Sequence, residues 1–378
     1  MAWLGRFVRD LVGHLPGGRR LRAELEQSLR HRNVLSDRLK RSEEQRETLR
    51  RRLAARRQRT HATEPEPAVL EQVMRSRHAA AVRIAKGAES AARESAFAAN
   101  SPSYRDTLMH PERYLPDEAI ARVNIAGLPW HIPANFDDTD GIAQRLVRQQ
   151  RLPLDEILAT RELAVGRAMI DIGANVGTTS IPRAVLGDFS CVYAIEPHPQ
   201  NYACLVLNII GSQIRGLVLP DRVAIGDVNG GMIMRRMKSG THHLVRREED
   251  IREDERVDVP CFTLDSWVER IGIDLSHVSF IKSDTQGWDA RVLVGAQRVL
   301  AHRHIAWQLE FNPSMLERSG MSLGEVFALL ERHFTHFIDL RREEGSRVRG
   351  AQELRTSLDH VGSGDRRYTN LLLYNASI

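Results

Sequence analysis

Carboxylates and glycines at set spacings are the most chemically informative feature of this 378-residue chain. In residues 169–180, MIDIGANVGTTS, an apolar run leads into Asp171 and then into a loop with Gly173 and Gly177. A second apolar run ends at Glu196, about 20 residues after that loop, as in nucleotide-binding folds. Glycines let a ligand approach the backbone, a helix start offers free N–H groups, and a strand-end carboxylate can accept hydrogen bonds from ribose hydroxyls. The pattern predicts a nucleotide pocket.

The charge of Asp171 indicates which nucleotide this pocket would hold. A dinucleotide site uses the spacing G-x-G-x-x-G, with a pyrophosphate at the helix N-terminus. Here the spacing is D-x-G-x-x-x-G, and the added carboxylate would repel a pyrophosphate. The same carboxylate attracts the ammonium and sulfonium groups of S-adenosylmethionine. We therefore expect S-adenosylmethionine as the cofactor. Two alternatives stay open: an NAD-binding oxidoreductase, and a non-catalytic scaffold that acts through its N-terminal arm.

Five motifs in order along the chain resemble those of the FkbM-type methyltransferases. They are DIGANVG at residues 171–177, IEP at 195–197, VAIGD at 223–227, TLD at 263–265 and IKSDTQGWD at 281–289. Ser283 stands where the family usually has an apolar residue. Asp289 replaces the usual glutamate, which keeps the charge but shortens its reach.

This resemblance implies an S-adenosylmethionine-dependent O-methyltransferase that acts on a hydroxyl of a sugar, a glycan or a related small molecule. In such an in-line displacement, positioning supplies most of the catalysis, and a base takes the hydroxyl proton. The sequence contains neither Asn-Pro-Pro-Tyr nor Asp-Pro-Pro-Tyr, the motifs of amine methylases that act on nucleic acids. We expect no nucleic-acid partner. We also expect no bound metal, because no Cys/His cluster has metal-ligand spacing.

Predicted strand ends supply the candidate site residues, because ligands of open parallel sheets bind beyond the carboxyl ends of the strands. For the cofactor, Gly173, Asn175 and Gly177 would shape the turn beside the methionine part. Asp171 would attract the cation and Glu196 would hold the ribose. A further strand-end carboxylate, Asp227, would lie near the adenine.

The catalytic candidates come from the strand that the resemblance places next to the cofactor strand. Asp284 is the first candidate for the base that faces the methyl group. Lys282 and Asp289 are candidates beside it. Lys282 should project to the same face as Asp284 and could pair with Asp284 or Asp289, and the alternative for Lys282 and Asp289 is a structural ion pair. Glu310 and His242 are held in reserve.

The alternation of strands and helices from residue 167 onward predicts a doubly wound, mostly parallel Rossmann-like sheet of the class I methyltransferase type, with an N-terminal helical extension. Strands are predicted at 168–172, 191–195, 222–226, 257–262, 278–283 and 305–310, followed by an antiparallel pair at 335–340 and 368–374. The polar segment 227–256 is expected to be a loop, either solvated or substrate-binding. An alanine-rich helix is expected at 69–98, an irregular segment at 103–120 and a hairpin around Gly127.

Charge and composition divide the chain into three expected parts. These are a basic amphipathic arm at residues 1–60, a linker with the alanine-rich helix at 61–118, and the methyltransferase domain at 119–378. The net charge of +5 is uneven, since residues 19–59 hold fifteen Lys or Arg against six Asp or Glu. Leucines recur there every 14 residues, but the heptad positions between them are polar, so a coiled coil would be marginal alone.

Three interpretations of the arm stay open: a solvated charged helix, a helix for homo-oligomerisation or a partner protein, and peripheral contact with an anionic membrane. No apolar run reaches the roughly 20 residues that cross a bilayer, and the start is not a signal peptide. The three cysteines are too few for a disulfide framework and are expected to be buried free thiols. We expect a cytoplasmic protein, with membrane association if the arm provides it.

Overall fold

The computed structural model describes residues 67–114, 120–133, 144–161, 167–235, 243–245, 253–341, 348–362 and 367–375. The predicted arm, residues 1–60, lies outside these ranges. The strands are β1 (Ile120–Ile125), β2 (Leu128–Pro133), β3 (Ala168–Ile172), β4 (Cys191–Ile195), β5 (Val218–Asp221), β6 (Ala224–Gly226), β7 (Gly230–Arg235), β8 (His243–Val245), β9 (Arg256–Thr263), β10 (Val278–Ser283), β11 (Ala306–Phe311), β12 (His336–Asp339), β13 (Arg349–Gly350) and β14 (Thr369–Tyr374). The helices are α1 (Pro67–Ala85), α2 (Ala88–Asn100), α3 (Pro102–Met109), α4 (Asp155–Thr160), α5 (Ser180–Leu186), α6 (Pro199–Gly211), α7 (Leu264–Ile271), α8 (Asp289–Val294), α9 (Gln297–Leu300), α10 (Pro313–Arg318), α11 (Leu323–His333) and α12 (Leu354–Leu358).

The main sheet has eight strands in the order β13-β12-β14-β11-β10-β3-β4-β5. Strands β11, β10, β3, β4 and β5 run parallel to one another. Beyond β11, the neighbouring pairs β11–β14, β14–β12 and β12–β13 are each antiparallel. Every residue of β3 and β10 is buried, as expected for parallel strands that helices cover on both faces. The predicted doubly wound α/β sheet and its closing antiparallel pair are confirmed.

Alternate side chains of the central strands face opposite sides of this sheet, so two apolar layers form. Met169 packs in one layer and Ile170 in the other, and Phe280 and Ile281 divide in the same way. Helices α1, α5 and α6 cover one face, and α7, α8 and α11 cover the other. The three cysteines are buried free thiols, as predicted.

A second sheet of four strands, in the order β6-β9-β7-β8, corrects part of the strand prediction. The predicted strand at 222–226 is divided: residues 218–221 form the edge of the main sheet, and residues 224–226 pair with β9. Buried Asp221 accepts hydrogen bonds from the Trp267 indole and the Arg270 guanidinium, both at 2.8 Å, at the end of the edge strand. The expectation of a loop throughout 227–256 is wrong, because β7 and β8 lie there. Strand β7 pairs with β9, some 21 to 31 residues further along the chain, so no local pattern revealed it.

The helical region before the sheet is also more structured than predicted. The alanine-rich helix is two helices, α1 and α2, separated at Gly87, whose backbone is extended. The segment expected to be irregular contains α3, since Ser101 accepts the Tyr104 N–H at 3.2 Å and caps the helix. The hairpin around Gly127 is confirmed as β1 and β2.

Short helical turns lie at Pro111–Tyr114, Gln144–Arg148, Glu253–Glu255, Leu275–His277 and Ala351–Glu353. Within the described ranges, no helix combines the length and apolarity that a membrane span requires.

Candidate active site

A cleft of about 1100 Å³ opens at the carboxyl ends of β3, β4, β10 and β11. Four parallel strands end at this edge, so their last residues and the loops that follow supply its walls. The predicted site residues that line it are Gly173, Asn175, Glu196, Lys282 and Asp284. The topology therefore brings together most of the residues that the sequence singled out.

The glycine loop after β3 contacts both neighbouring strands. The N–H groups of Gly173 and Ala174 both donate to the Ile195 carbonyl at 2.9 Å. Gly173 has φ +78°, and a Cβ there would lie only 2.0 Å from the Asp284 carbonyl oxygen. Asn175 follows with φ +53°, a conformation that asparagine tolerates better than most residues. Glycine is required at 173 because the turn packs directly against the backbone that follows β10.

The Glu196 carboxylate is buried at the end of β4, with 5% of its surface exposed. Its Oε2 accepts the Asn175 N–H at 2.8 Å, and its Oε1 accepts the His198 N–H at 2.9 Å. Burial raises the pKa of Glu196 to about 7, and these N–H donors oppose that rise. The Asn201 side chain is a third donor, and a carboxylate offers about four acceptor positions, so one stays open for a hydroxyl in the cleft.

Lys282 lies between two carboxylates. Its Nζ is 3.7 Å from Asp171 Oδ1 and 3.3 Å from Asp284 Oδ2. Burial alone would lower the pKa of Lys282, but the charges of Asp284 and Asp171 outweigh it and raise the pKa above the usual value. Asp171 is fully buried and also accepts the Ser180 hydroxyl at 2.5 Å. Asp171 therefore lies behind the cleft wall, where Lys282 compensates part of its charge.

Asp284 and Glu310 form an acidic pair on adjacent strands. The Asp284 side chain is 36% exposed and accepts the Gln286 amide at 3.2 Å. Glu310 is 8% exposed, and its Oε2 has no hydrogen-bond partner among the described residues. Burial, followed by the charges of Asp284 and Asp289, raises the pKa of Glu310 well above its ordinary value. Glu310, a reserve candidate from the sequence, thus faces the cleft, and its raised pKa makes its carboxylate a stronger base than that of an exposed glutamate.

Besides Asp171, three predicted site residues do not line the cleft. Asp289 is buried beneath the loop after β10, where it accepts the Ser283 hydroxyl at 2.6 Å. Asp227 follows β6 of the second sheet and pairs with Arg291 Nη1 at 2.7 Å. Gly177 has φ +94° and packs against α5 and α6. Their predicted contacts with substrate or cofactor stay predictions, and their observed contacts hold the loops in place.

Sequence reasoning missed the apolar wall of the cleft. Val223 and Ile225 come from the junction between the two sheets, and Met234 and Leu244 come from β7 and β8. Val223 and Ile225 lie within the VAIGD motif, but no local motif marks β7 and β8, which join the site only through the second sheet. The reserve candidate His242 lies outside the described residues.

Buried polar atoms with no hydrogen-bond partner among the described residues also line the cleft: Asn175 Oδ1, Thr285 Oγ1 and Glu310 Oε2. Buried acceptors of this kind are normally satisfied. They fit a ligand that brings N–H or O–H donors into the cleft.

A family model described as the methyltransferase FkbM domain matches residues 171–337. The chain contains an FkbM methyltransferase domain. In the structure this FkbM domain begins at the end of β3 and extends into β12. It includes all the predicted site residues, from Asp171 to Asp289, together with Glu310.

Solved structures to which parts of the chain are similar include the following three. A methyltransferase FkbM from Methylobacillus flagellatus KT is 17% identical, with a TM-score of 0.34, over 55% of this chain and 44% of that chain. Trm5b from Pyrococcus abyssi is 11% identical, with a TM-score of 0.32, over 68% and 55%. M. jannaschii TYW2, in complex with AdoMet, is 9% identical, with a TM-score of 0.32, over 68% and 86%. The chain thus spans less than half of the first of these, and no curated protein matches its sequence.

Proposed function

We propose that this protein transfers a methyl group from S-adenosylmethionine to a hydroxyl of a sugar, a glycan or a related small molecule. The FkbM domain supports the reaction class. The observation that carries the proposal is the row of carboxylates along one cleft, Glu196, Asp284 and Glu310, beside a glycine loop. Such a cleft favours a cationic ligand that also carries a diol.

The residues present fit S-adenosylmethionine. Glu196 would accept a hydrogen bond from a ribose hydroxyl at its remaining acceptor position. The turn at Gly173 and Asn175 would hold the methionine part, where the unbonded Asn175 Oδ1 can accept from an ammonium group. Val223 and Ile225 provide an apolar surface for the adenine. When bound, the cofactor supplies an electrophilic methyl group.

The acidic pair would receive the acceptor's proton. As the acceptor oxygen takes the methyl group, its proton moves to a carboxylate of the Asp284–Glu310 pair. Burial and the neighbouring charges of Asp284 and Asp289 raise the pKa of Glu310, which makes it a stronger base than an exposed glutamate. Lys282 holds Asp284 by the 3.3 Å ion pair and so fixes the position of the base.

Calorimetric titration of the full chain with S-adenosylmethionine tests the cofactor assignment. Wild type should bind it and should not bind NAD. Glu196→Ala should weaken binding about tenfold or more, because a hydrogen bond to a charged group contributes roughly 1.5–3 kcal/mol. Glu317→Ala, at an exposed position away from the cleft, is the matched control. Binding of NAD instead would favour the oxidoreductase alternative, and binding of neither would favour the scaffold.

Methyl-labelled cofactor, incubated with fractionated cell extract, shows which fraction contains the methyl acceptor. The rate of labelling in that fraction then tests the base assignment separately. Asp284→Asn should slow turnover about 100-fold, the usual contribution of a positioned base, and change cofactor affinity far less. Equal effects on turnover and on cofactor affinity would contradict the role as a base.

A further inference from the structure

The charge of the cleft changes sign along its length. Glu196 ends β4, and the acidic pair ends β10 and β11. Beyond them the cleft is lined by Arg341, which follows β12, and by Arg367, which precedes β14. Because the order is β12-β14-β11-β10-β3-β4, these arginines lie on the side of the acidic pair away from Glu196.

A second wall adds positive charge at the same end. Glu156 of α4 accepts the Gln308 amide at 2.6 Å and is also hydrogen-bonded by Asn370, which places α4 over β11 and β14. The segment just before α4 brings Arg145 and Arg151 to the cleft. Of the charged side chains that line this end, four are arginines and two, Asp155 and Glu156, are carboxylates. The arginine end therefore keeps a net positive charge.

The two arginines near β12 and β14 are arranged to bind an anion. The Arg341 guanidinium lies over the Tyr368 ring, 3.9 Å from its centroid, which fixes its plane. Its closest carboxylate oxygen, Glu156 Oε1, is 3.6 Å away and already accepts from Asn370. Arg367 is exposed and has no ion-pair partner among the described residues. A stacked guanidinium beside a second one suits bidentate recognition of carboxylate or phosphate.

We propose that the methyl acceptor is anionic, with a phosphate or carboxylate group that Arg341 and Arg367 bind. This inference rests on the proposed function, which places the accepting hydroxyl at the Asp284–Glu310 pair. Adjacent strands are about 4.8 Å apart, so β14 and β12 lie roughly 10–14 Å from β10. Because the pair also includes Glu310 of β11, one strand nearer, the anionic group lies roughly 5–14 Å from the accepting hydroxyl, within about one or two sugar units. A cofactor carboxylate at the glycine loop after β3 would be one strand farther from these arginines.

Calorimetry on the full chain, saturated with S-adenosylhomocysteine, tests the anion site. The probes are inorganic pyrophosphate and glucuronic acid, with glucose as the uncharged counterpart of the latter. At least one anion should bind, glucose should not, and added salt should weaken binding. Stronger binding of pyrophosphate would identify a phosphorylated acceptor, and stronger binding of glucuronic acid a uronic acid.

Variants locate the site. Arg367→Gln and Arg341→Gln should each weaken anion binding about tenfold, the effect of one charge-assisted contact. Arg332→Gln, on the exposed face of α11, should leave it unchanged. Arg367 is exposed, so its variant tests the site even if Arg341→Gln impairs folding.

Three results would overturn the inference: no binding of either anion, equal binding of glucose and glucuronic acid, or wild-type affinity in both variants. Failure of S-adenosylhomocysteine to bind is a different result, since it would remove the proposed function itself.

Discussion

A methyl group added at Gly173 should disrupt the site more than the fold. In Gly173→Ala the new Cβ would lie 2.0 Å from the Asp284 carbonyl oxygen, whereas Cβ atoms essentially never come within 3.0 Å of another heavy atom. The loop and the end of β10 must therefore separate by about 1 Å. Because the loop carries the Asn175 N–H that fixes Glu196, this separation displaces the proposed ribose site and the proposed base together.

The size of the effect has two parts. An alanine at φ +78° costs roughly 1–2 kcal/mol, and forced overpacking adds about 1–3 kcal/mol. Gly187→Ala isolates the first part, because Gly187 has φ +69° but its Cβ would meet only Arg77 Nη1, at an ordinary 3.7 Å. We expect the free energy of unfolding to fall by about 2–5 kcal/mol in Gly173→Ala and by about 1–2 kcal/mol in Gly187→Ala.

The rate of methyl transfer and the cofactor affinity should distinguish the two variants more clearly than the free energy of unfolding does. A misplacement of about 1 Å can cost about 100-fold in rate, so Gly173→Ala should lose about that factor in methyl transfer. It should also bind S-adenosylmethionine at least about tenfold more weakly, through the displaced Glu196. Urea unfolding and calorimetric titration of both variants provide the measurements. If Gly173→Ala matches Gly187→Ala in stability and in cofactor affinity, the contact with Asp284 does not organise the site.

Three further predictions follow from buried carboxylates. Turnover should rise with pH as Glu310 loses its proton. Glu310→Gln should lower turnover and shift or remove this rise, and an unchanged pH profile of turnover would exclude Glu310 as the base. Because the folded-state pKa of Glu196 is about 7, above its usual 4.5, the cofactor-free protein should lose stability as pH rises from about 4.5 to about 7. The free energy of unfolding, measured with urea, should fall by on the order of 3 kcal/mol over this range. Glu196→Gln should reduce the fall, and an equal pH dependence in the variant would contradict the raised pKa of Glu196. Asp221→Asn should destabilise the fold by about 3 kcal/mol in the same assay, since it leaves Arg270 unpaired, and a change below about 1 kcal/mol would show that this network is dispensable.

Local sequence patterns predicted the elements that carry the site. Strands β3, β4 and β10 have the predicted bounds, and β10 lies next to β3 as the FkbM resemblance implied. The prediction was weakest where pairing is distant. Residues 224–226 and 230–235 joined a second sheet instead of continuing the first or forming a loop, because their partners in β9 lie some 21 to 37 residues further along the chain.

The site residues divide in the same way, into those that local sequence patterns predicted and those that distant contacts placed. Glu196 and Asp284 could be identified from their positions after apolar runs, because parallel strands bring their carboxyl ends to one edge. The sequence did not predict that Lys282 pairs with Asp171. Only packing set Lys282 between Asp171 and Asp284, and only packing directed Asp289 beneath the loop and Asp227 to Arg291.

The sequence by itself therefore determined the fold class, the glycine turn at Gly173 and the order of the strand-end carboxylates. These features depend on residue type and on spacing within a few tens of residues. Tertiary structure alone decided the burial of Glu310, the compensation of Asp171 by Lys282, and the opposite charges at the two ends of the cleft. Burial and charge pairing depend on which distant segments meet, and that is fixed only when the whole sheet is assembled.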